Sequence, residues 1–156
     1  MDRIDTKFVM HRNLLPELLE GLKDNYKILE VNNQRLSEYE SHYFDTSNYA
    51  FYLQHHNQKR HRFKVRYRHY TNSNTSYFEI KERKHKRMVK HRFQVQDIQP
   101  ELTKKELNFV KSIIGDIQPR QRNIQTHYQR ITLVNEGLKE RFTLDFSIHF
   151  SDQDHG

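Results

Sequence analysis

The sequence contains no cysteine, which excludes disulfide bonds, thiolate catalysis and cysteine-bound zinc. Glycine is scarce, with 4 residues in a chain of 156, and no glycine-rich phosphate loop occurs, which excludes P-loop and dinucleotide-binding folds. No apolar run approaches the length of a transmembrane helix, and the charged N-terminus has no signal-peptide core. We therefore expect a cytoplasmic protein, with any membrane association supplied by a partner.

Positive charge is the main property that is present. Lys and Arg number 27 against 20 Asp and Glu, which gives a formal net charge of +7, and 11 His add charge below neutral pH. Only 34% of the residues are hydrophobic, but 10 Phe and 9 Tyr argue against disorder, and the length suits one domain with a real core. This balance favours a polyanionic partner, either nucleic acid, an acidic membrane or a phosphate chain.

Two helices are predicted from apolar spacing and capping residues. Asn13 is the predicted cap of a first helix, with a stripe of leucines on one face that ends near Asp24. Thr103 and Glu106 have the spacing of a capping box, and the second helix runs from there to Gly115. Residues 49–53 are predicted as either a short helix or a tight aromatic loop.

Strands are predicted wherever apolar and polar residues alternate. The predicted ranges are 3–10, 26–31, 38–46, 61–70, 76–83, 88–95, 123–134 and 138–150. In the last strand, a single alternation places all the apolar residues from Phe142 to Phe150 on one face. Long alternating strands with a few inserted helices indicate an α+β domain built on an antiparallel sheet. The strand tilt of such a sheet allows it to close into a barrel with a basic lumen.

The strand at residues 61–70 has a row of cations on one face. Arg62, Lys64, Arg66 and Arg68 alternate with apolar residues and repel one another at a spacing of about 7 Å, so they require solvent or a dense anion. Neighbouring segments repeat the arrangement. The cations collected by face are Lys7, Arg62, Lys64, Arg66, Arg68, Lys81, Lys90, Arg92, Arg130 and Arg141. Arg and Lys together suit a triphosphate or polyphosphate, and the alternative is a solvated outer face of the sheet.

Acidic and aromatic residues accompany these cations. Glu79 and Asp145 are candidates for binding a metal or orienting the lysines, although the role of structural counter-ion is the one we favour for both. The histidines lack metal-ligand spacing, so no zinc site is predicted. A third function, binding of single-stranded RNA, would use aromatic rings that stack on bases, although such residues are more often part of the core. The rings in question are Tyr67, Tyr70, Tyr77 and Phe78.

Several short motifs together resemble a known family, the VTC domain, which is the polyphosphate polymerase domain of the vacuolar transporter chaperone complex. Their order and spacing carry the resemblance over nearly the whole chain. The motifs are Asp5-Thr6-Lys7-Phe8-Val9, Tyr43-Phe44-Asp45-Thr46, the strand from Arg62 to Arg68, Phe78-Glu79-Ile80-Lys81, Val89-Lys90-His91-Arg92-Phe93, Tyr128-Gln129-Arg130 and Glu140-Arg141-Phe142-Thr143-Leu144-Asp145.

The resemblance implies a triphosphate-tunnel fold, with an antiparallel β-barrel around a basic lumen, either complete or left open, and two or three helices outside it. It implies that a nucleoside triphosphate such as ATP donates its γ-phosphate to inorganic polyphosphate, assisted by a divalent metal (Mn or Mg). The implied catalytic residues are Lys7, Arg66, Arg68, Lys81 and Lys90. The implied phosphate-binding residues are Arg62, Lys64, Tyr128, Arg130 and Arg141. Nucleic acid is the less favoured partner.

The resemblance also implies further segments after Phe150, with a metal-binding glutamate and a motif similar to Ser-Lys-Tyr, and the sequence contains neither. We therefore expect a single VTC-like domain over residues 1–150, truncated at its C-terminus, with a polar tail over residues 151–156. Binding of a phosphate chain is expected from this chain alone. Catalysis by this chain alone is left open, with a non-catalytic phosphate-chain-binding module as the alternative function.

Overall fold

The computed structural model describes residues 6–85, 87–137 and 140–152. The helices are α1 (Leu15–Leu22), α2 (Ala50–His56) and α3 (Lys104–Ile114), with short 3-10 turns at Arg12–Leu14 and Thr71–Ser73. The strands are β1 (Tyr26–Ile28), β2 (Leu36–Asp45), β3 (His61–Tyr70), β4 (Thr75–Lys84), β5 (Arg87–Val95), β6 (Gln121–Asn135) and β7 (Arg141–Asp152). No helix in this described part of the chain is long and apolar enough to cross a membrane.

The strands form one antiparallel sheet in the order β7-β6-β2-β3-β4-β5, and β1 pairs with the end of β6. The sheet curls into a half-barrel, and in the described residues β5 and β7 pair on one side only. This confirms the predicted antiparallel, barrel-type fold in its open form. The β2–β3 and β3–β4 pairs are long and regular, and in β3 and β4 this follows from the alternation of apolar and polar residues.

One face of the sheet carries the hydrophobic core. Phe44, Val65, Phe78 and Ile80 lie on this face, and each is almost completely buried. Helices α2 and α3 cover it and contribute Phe51 and Val110 to the same cluster. We call this side of the sheet the core face. Because side chains alternate along a strand, the polar residues between the core residues project from the opposite side.

The N-terminal predictions differ from the structure. Residues 6–10 form no strand, and Phe8 and Val9 are almost fully exposed; residues 1–5 lie outside the described part of the chain. Alternation alone does not make a strand without a neighbour to pair with. The predicted cap Asn13 lies within the 3-10 turn, and α1 begins after it with Pro16 in its first turn.

Two predicted helical features are confirmed. The carboxylate of Glu106 accepts a hydrogen bond from the backbone N–H of Thr103 at 2.7 Å, as a capping box requires. The aromatic segment after residue 49 is a helix, α2. The buried carboxylate of Asp45 caps the N-terminus of α2, because it accepts hydrogen bonds from the N–H groups of Phe51 and Tyr52, both at 2.8 Å.

The prediction for β7 is wrong at its C-terminal end. Residues Ser147 and Ile148 form a β-bulge opposite β6, and Ser147 has a φ of 52°. Beyond the bulge the alternation is inverted, so Phe150 lies opposite Thr126, on the face away from Leu144. An extra residue in one strand reverses which side the following residues face, and a simple alternation pattern does not reveal it. The strand also extends to Asp152, into the segment predicted as a polar tail.

Candidate functional site

Strands β3, β4 and β5 bring predicted cations together on the side of the sheet opposite the core face. The register aligns Lys64 with Lys81, and Lys81 with Lys90. Directly opposed residues of antiparallel strands project from the same side of a sheet. We call this side the basic face, and its cations are Lys64, Arg66, Arg68, Lys81, Lys90, Arg92 and Arg130.

A buried ion pair lies at the centre of the basic face. Glu79 is fully buried and Arg66 is 5% exposed. Arg66 donates to one oxygen of Glu79, Oε2, through Nη2 at 2.8 Å and Nε at 3.1 Å. Its remaining arm, Nη1, donates to the hydroxyl of Tyr43 at 2.9 Å. The guanidinium is therefore held by two strands beside its own, which fixes its position before any ligand binds.

The other oxygen of Glu79 has no hydrogen-bond partner among the described residues. The nearest cations to it are Lys90 Nζ and Arg92 Nη1, each at 3.8 Å. Burial disfavours the charged carboxylate, but the adjacent Arg66 outweighs that effect and lowers the pKa of Glu79. Glu79 is therefore ionised at neutral pH, and its single charge is shared among several cations.

Lys81 shows that the positive charges on this face are crowded. Burial and the neighbouring Arg66 disfavour its ammonium form, and the attraction of Glu79 only partly opposes them. The pKa of Lys81 is lowered to about 7 from its ordinary value of 10.5. The same causes, burial first, lower the pKa of Lys90. A bound anion would relieve this repulsion and restore the charge on Lys81.

Aromatic rings and arginines interleave at the β2–β6 side of the basic face. Tyr39 and Tyr128 stack with their ring centroids 5.2 Å apart. The guanidinium of Arg68 lies 5.2 Å from the Tyr39 centroid, and that of Arg130 lies 5.3 Å from the Tyr128 centroid. Arg68, which is 6% exposed, also donates to the Tyr128 hydroxyl at 2.6 Å. The structure thus brings three of the predicted residues into direct contact.

Asp145 and Arg130 form a bidentate ion pair. Arg130 Nε and Nη2 donate to the two oxygens of Asp145 at 2.5 and 2.6 Å. This hydrogen bonding is the main reason that the pKa of Arg130 is raised. The contacts of Asp145 and Glu79 therefore favour the counter-ion role for both of the predicted acids.

Lys7 and Lys64 lie at the margin of the cluster. Lys64 is an exposed residue of β3. Partial desolvation of its ammonium lowers its pKa, and the positive charges of Lys7 and Arg66 lower it further. Lys7, although exposed and outside any strand, is therefore close enough to Lys64 to repel it. The catalytic role that the resemblance implies for Lys7 stays a prediction.

Arg62 and Arg141 are separate from the central ion pair. Arg62 is half-buried and donates through Nη1 to the carbonyl of Lys59 at 3.1 Å. Arg141 is exposed at the start of β7, directly opposite Val134. Neither forms a hydrogen bond or ion pair with Glu79 in the described structure.

The residues that the structure describes do not fit a protein-bound divalent metal. No group of three or more His, Asp or Glu side chains among them is arranged to hold a metal ion. Asp145 accepts hydrogen bonds from a guanidinium through both oxygens and Glu79 through one, and Lys90 and Arg92 lie near the remaining oxygen of Glu79. A cation placed there would be repelled, so no step of the chemistry is derived through a metal.

Two tyrosines of the basic face, Tyr39 and Tyr43, were not predicted as site residues. Both lie on β2, whose two faces are both polar, so alternation did not indicate which face turns toward the cations. The four rings predicted to stack on RNA bases lie on two sides of the sheet. Tyr67 and Phe78 are fully buried in the core, while Tyr70 and Tyr77 lie on the opposite side of the sheet. The four rings do not form one stacking surface.

Comparison with known proteins identifies the family to which the chain belongs. The family model of the VTC domain matches residues 2–156. The chain belongs to the VTC domain family. This VTC domain is therefore related to polyphosphate and triphosphate chemistry at the level of its family. No curated protein matches the chain.

Two solved structures similar to this VTC domain are proteins of Pyrococcus horikoshii OT3. The PH1012 protein from Pyrococcus horikoshii OT3 matches with a TM-score of 0.51 and 17% identity, over 92% of this chain and 71% of that chain. The PH1819 protein from the same organism matches with a TM-score of 0.48 and 13% identity, over 89% of this chain and 75% of that chain. At this identity the likeness to PH1012 concerns the fold alone.

Proposed function

We propose that this VTC domain binds a linear phosphate chain, either inorganic polyphosphate or the triphosphate of a nucleotide, on its basic face. The observation that carries the proposal is the excess of cations around the buried carboxylate of Glu79. Arg66 satisfies one oxygen of that carboxylate, and Lys90 and Arg92 crowd the other. Lys81 lies in the same row without an acid of its own and has a lowered pKa. A bound anion would balance this excess of positive charge.

The shape of the cationic surface suits a chain better than a single phosphate. Lys64 and Arg68 are four residues apart on β3, which corresponds to about 13 Å along the strand. The row from Lys64 through Lys81 to Lys90 crosses three strands, or about 10 Å. A field of charge with these dimensions offers contacts to several successive phosphates. Arg supplies planar paired donors to phosphate oxygens, and Lys supplies compact point charges.

The activity we propose for the basic face is polyphosphate polymerase-like transfer of the γ-phosphate of a nucleoside triphosphate to a polyphosphate chain. Phosphoryl transfer depends on positioning and on stabilising the charge of the equatorial oxygens. Arg66 and Arg68 are suited to that role because they are buried and held by hydrogen bonds before a ligand arrives. Lys81 and Lys90 would neutralise charge from the adjacent strands. Family membership supports this activity.

Binding is tested by competition. A fluorescent polyphosphate bound to the chain should be displaced by inorganic tripolyphosphate and should resist displacement by single-stranded RNA of equal charge. Because all polyanions compete through salt-dependent electrostatics, the comparison is made at physiological ionic strength. If RNA displaces the probe and tripolyphosphate does not, the basic face is a nucleic-acid surface and the proposal is wrong.

Transfer is tested separately from binding. The chain is incubated with γ-labelled ATP and manganese, and acid-insoluble labelled phosphate is measured against the Lys81→Met variant. Label incorporated by the native chain and lost in the variant supports polymerase-like activity. Binding without incorporation identifies a phosphate-chain-binding module that does not catalyse transfer.

A further inference from the structure

Positive charge is concentrated where β3 begins and where the chain turns from β4 into β5. Residues 83–92 contain six Lys or Arg, two His and no Asp or Glu, and residues 46–78 contain no Asp or Glu either. The two segments meet in the fold, because the N–H of His85 donates to the carbonyl of Arg60 at 2.9 Å. We call this end of the sheet the basic tip. Its described cations are Lys59, Arg60, Arg62, Arg83, Lys84 and Arg87.

The pairing register places like charges of the basic tip against one another. Arg62 lies directly opposite Arg83, and Lys84 lies directly opposite Arg87. Like charges at directly opposed positions destabilise a sheet. None of the six cations forms an ion pair with a residue that the structure describes, and Glu82, which precedes Arg83, is paired with two histidines instead. The basic tip therefore carries an excess of positive charge that an anionic surface would stabilise.

Two apolar side chains accompany these cations. Met88 is 58% exposed and Val89 is 43% exposed, and both directly follow Arg87 on β5. Neither belongs to the hydrophobic core cluster. Consecutive residues of a strand project from opposite sides of the sheet, so both sides of the tip carry an apolar group. A phosphate chain or a nucleic-acid backbone would leave these groups in water, whereas the boundary between headgroups and acyl chains of a bilayer would bury them.

Apolar side chains next to an excess of cations match the chemistry of an anionic lipid surface. We propose that the basic tip binds end-on to a bilayer that contains anionic phospholipids, with Met88 and Val89 entering the interface and the cations contacting the headgroups. Long Lys and Arg side chains suit this position, because their apolar stems lie along the lipid while their charges remain at the level of the phosphates. This surface is separate from the basic face, and the inference does not depend on phosphate-chain binding there.

Vesicle sedimentation tests the inference. The chain is mixed at physiological salt with vesicles of phosphatidylcholine, either pure or containing phosphatidylserine, and it should bind only the vesicles that contain phosphatidylserine. One Lys or Arg near such a surface contributes about fivefold to binding, so Lys84→Ala combined with Arg87→Ala should weaken binding roughly 25-fold. Lys104→Ala combined with Lys111→Ala is the matched control, because it removes the same charge from exposed positions on α3.

A second variant distinguishes a bilayer from other polyanions. Met88→Ser leaves the charge unchanged and removes an apolar side chain that a bilayer would bury and a soluble polyanion would not. It should weaken binding to the anionic vesicles several-fold and leave the binding of heparin unchanged. If Met88→Ser binds the vesicles as well as the native chain does, the basic tip is a general polyanion surface and the inference is wrong.

The remaining outcomes are equally decisive. Equal losses from the paired variants of the tip and of α3 would show that net charge alone attracts the chain to the vesicles, and no binding by the native chain would also overturn the inference. Tripolyphosphate binding, measured by calorimetry, should be unchanged in the tip variants, because Lys84 and Arg87 are not part of the basic face. A parallel loss of tripolyphosphate binding would assign the basic tip to the phosphate-chain site instead.

Discussion

Arg66 donates twice to one oxygen of Glu79, at 2.8 and 3.1 Å, while the other oxygen of Glu79 receives no hydrogen bond from the described residues. Both side chains are buried. This asymmetric pair determines where the remaining cations lie, because Lys90 and Arg92 approach the unsatisfied oxygen from β5. The pair therefore contributes to stability and also organises the charge that a phosphate chain would meet.

Arg66→Ala should destabilise the fold by about 3–5 kcal/mol, because it leaves the buried Glu79 carboxylate without its strongest partner. Urea unfolding measures the change. Arg92→Ala is the control: it removes a cation 3.8 Å from the same carboxylate, but Arg92 is exposed, so a loss of less than about 1 kcal/mol is expected. Similar losses from both variants would contradict the central role of the Arg66–Glu79 pair.

Binding of tripolyphosphate should take up protons near pH 7.5. The pKa of Lys81 is about 7 in the free protein, so the side chain is mostly neutral at that pH. A bound phosphate chain favours the ammonium and raises this pKa, so affinity should be highest below pH 7 and fall as the pH rises. Calorimetry in buffers with different ionisation enthalpies measures the uptake. Uptake that persists in Lys81→Met would assign the proton to another group.

Asp145→Asn should strengthen the binding of tripolyphosphate several-fold, because it releases Arg130 from its ion pair on the basic face. The pair is partly exposed, so stability should fall by only about 1 kcal/mol. A metal titration with manganese, made in the presence of tripolyphosphate, distinguishes the two predicted roles of Asp145. If the variant weakens manganese binding, Asp145 is a metal ligand and the counter-ion role is wrong.

Ser147→Gly should stabilise the protein by up to about 1 kcal/mol. Ser147 has a φ of 52°, a conformation that costs a residue with a side chain about 1–2 kcal/mol and that glycine adopts readily. Part of the gain is offset by the greater flexibility of glycine in the unfolded chain. Thermal unfolding measures the effect. A clear loss of stability would show that the Ser147 side chain has a structural role at the bulge.

The strand pattern could be predicted because alternation records which face of a strand is buried. It placed Val65 and Ile80 in the core and Arg66 and Lys81 on the other face, as the structure shows. It could not distinguish the exposed Lys64 from the buried Arg66, since both have the same parity. Their difference comes from Glu79, which lies directly opposite Arg66.

Other features depend on contacts that a single strand does not encode. The bulge at Ser147 arises from the pairing of β7 with β6, and it moves Phe150 to the opposite face from the one predicted. The segment at residues 6–10 alternates like a strand but pairs with no strand among the residues that the structure describes. Tyr43 became a site residue only through its hydrogen bond with Arg66. Strand pairing and side-chain contacts between strands, rather than local sequence, determine these three features.

Binding of a phosphate chain to the basic face is tested most directly by a calorimetric titration of the chain with inorganic tripolyphosphate at pH 6.5 and physiological salt. We expect saturable binding that is strongly weakened in Lys81→Met and Lys90→Ala. Binding should be unchanged in Lys111→Ala, which removes an exposed lysine of α3, away from the basic face. No binding by the native chain, or an equal loss in all three variants, would contradict the assignment of the basic face as a phosphate-chain site.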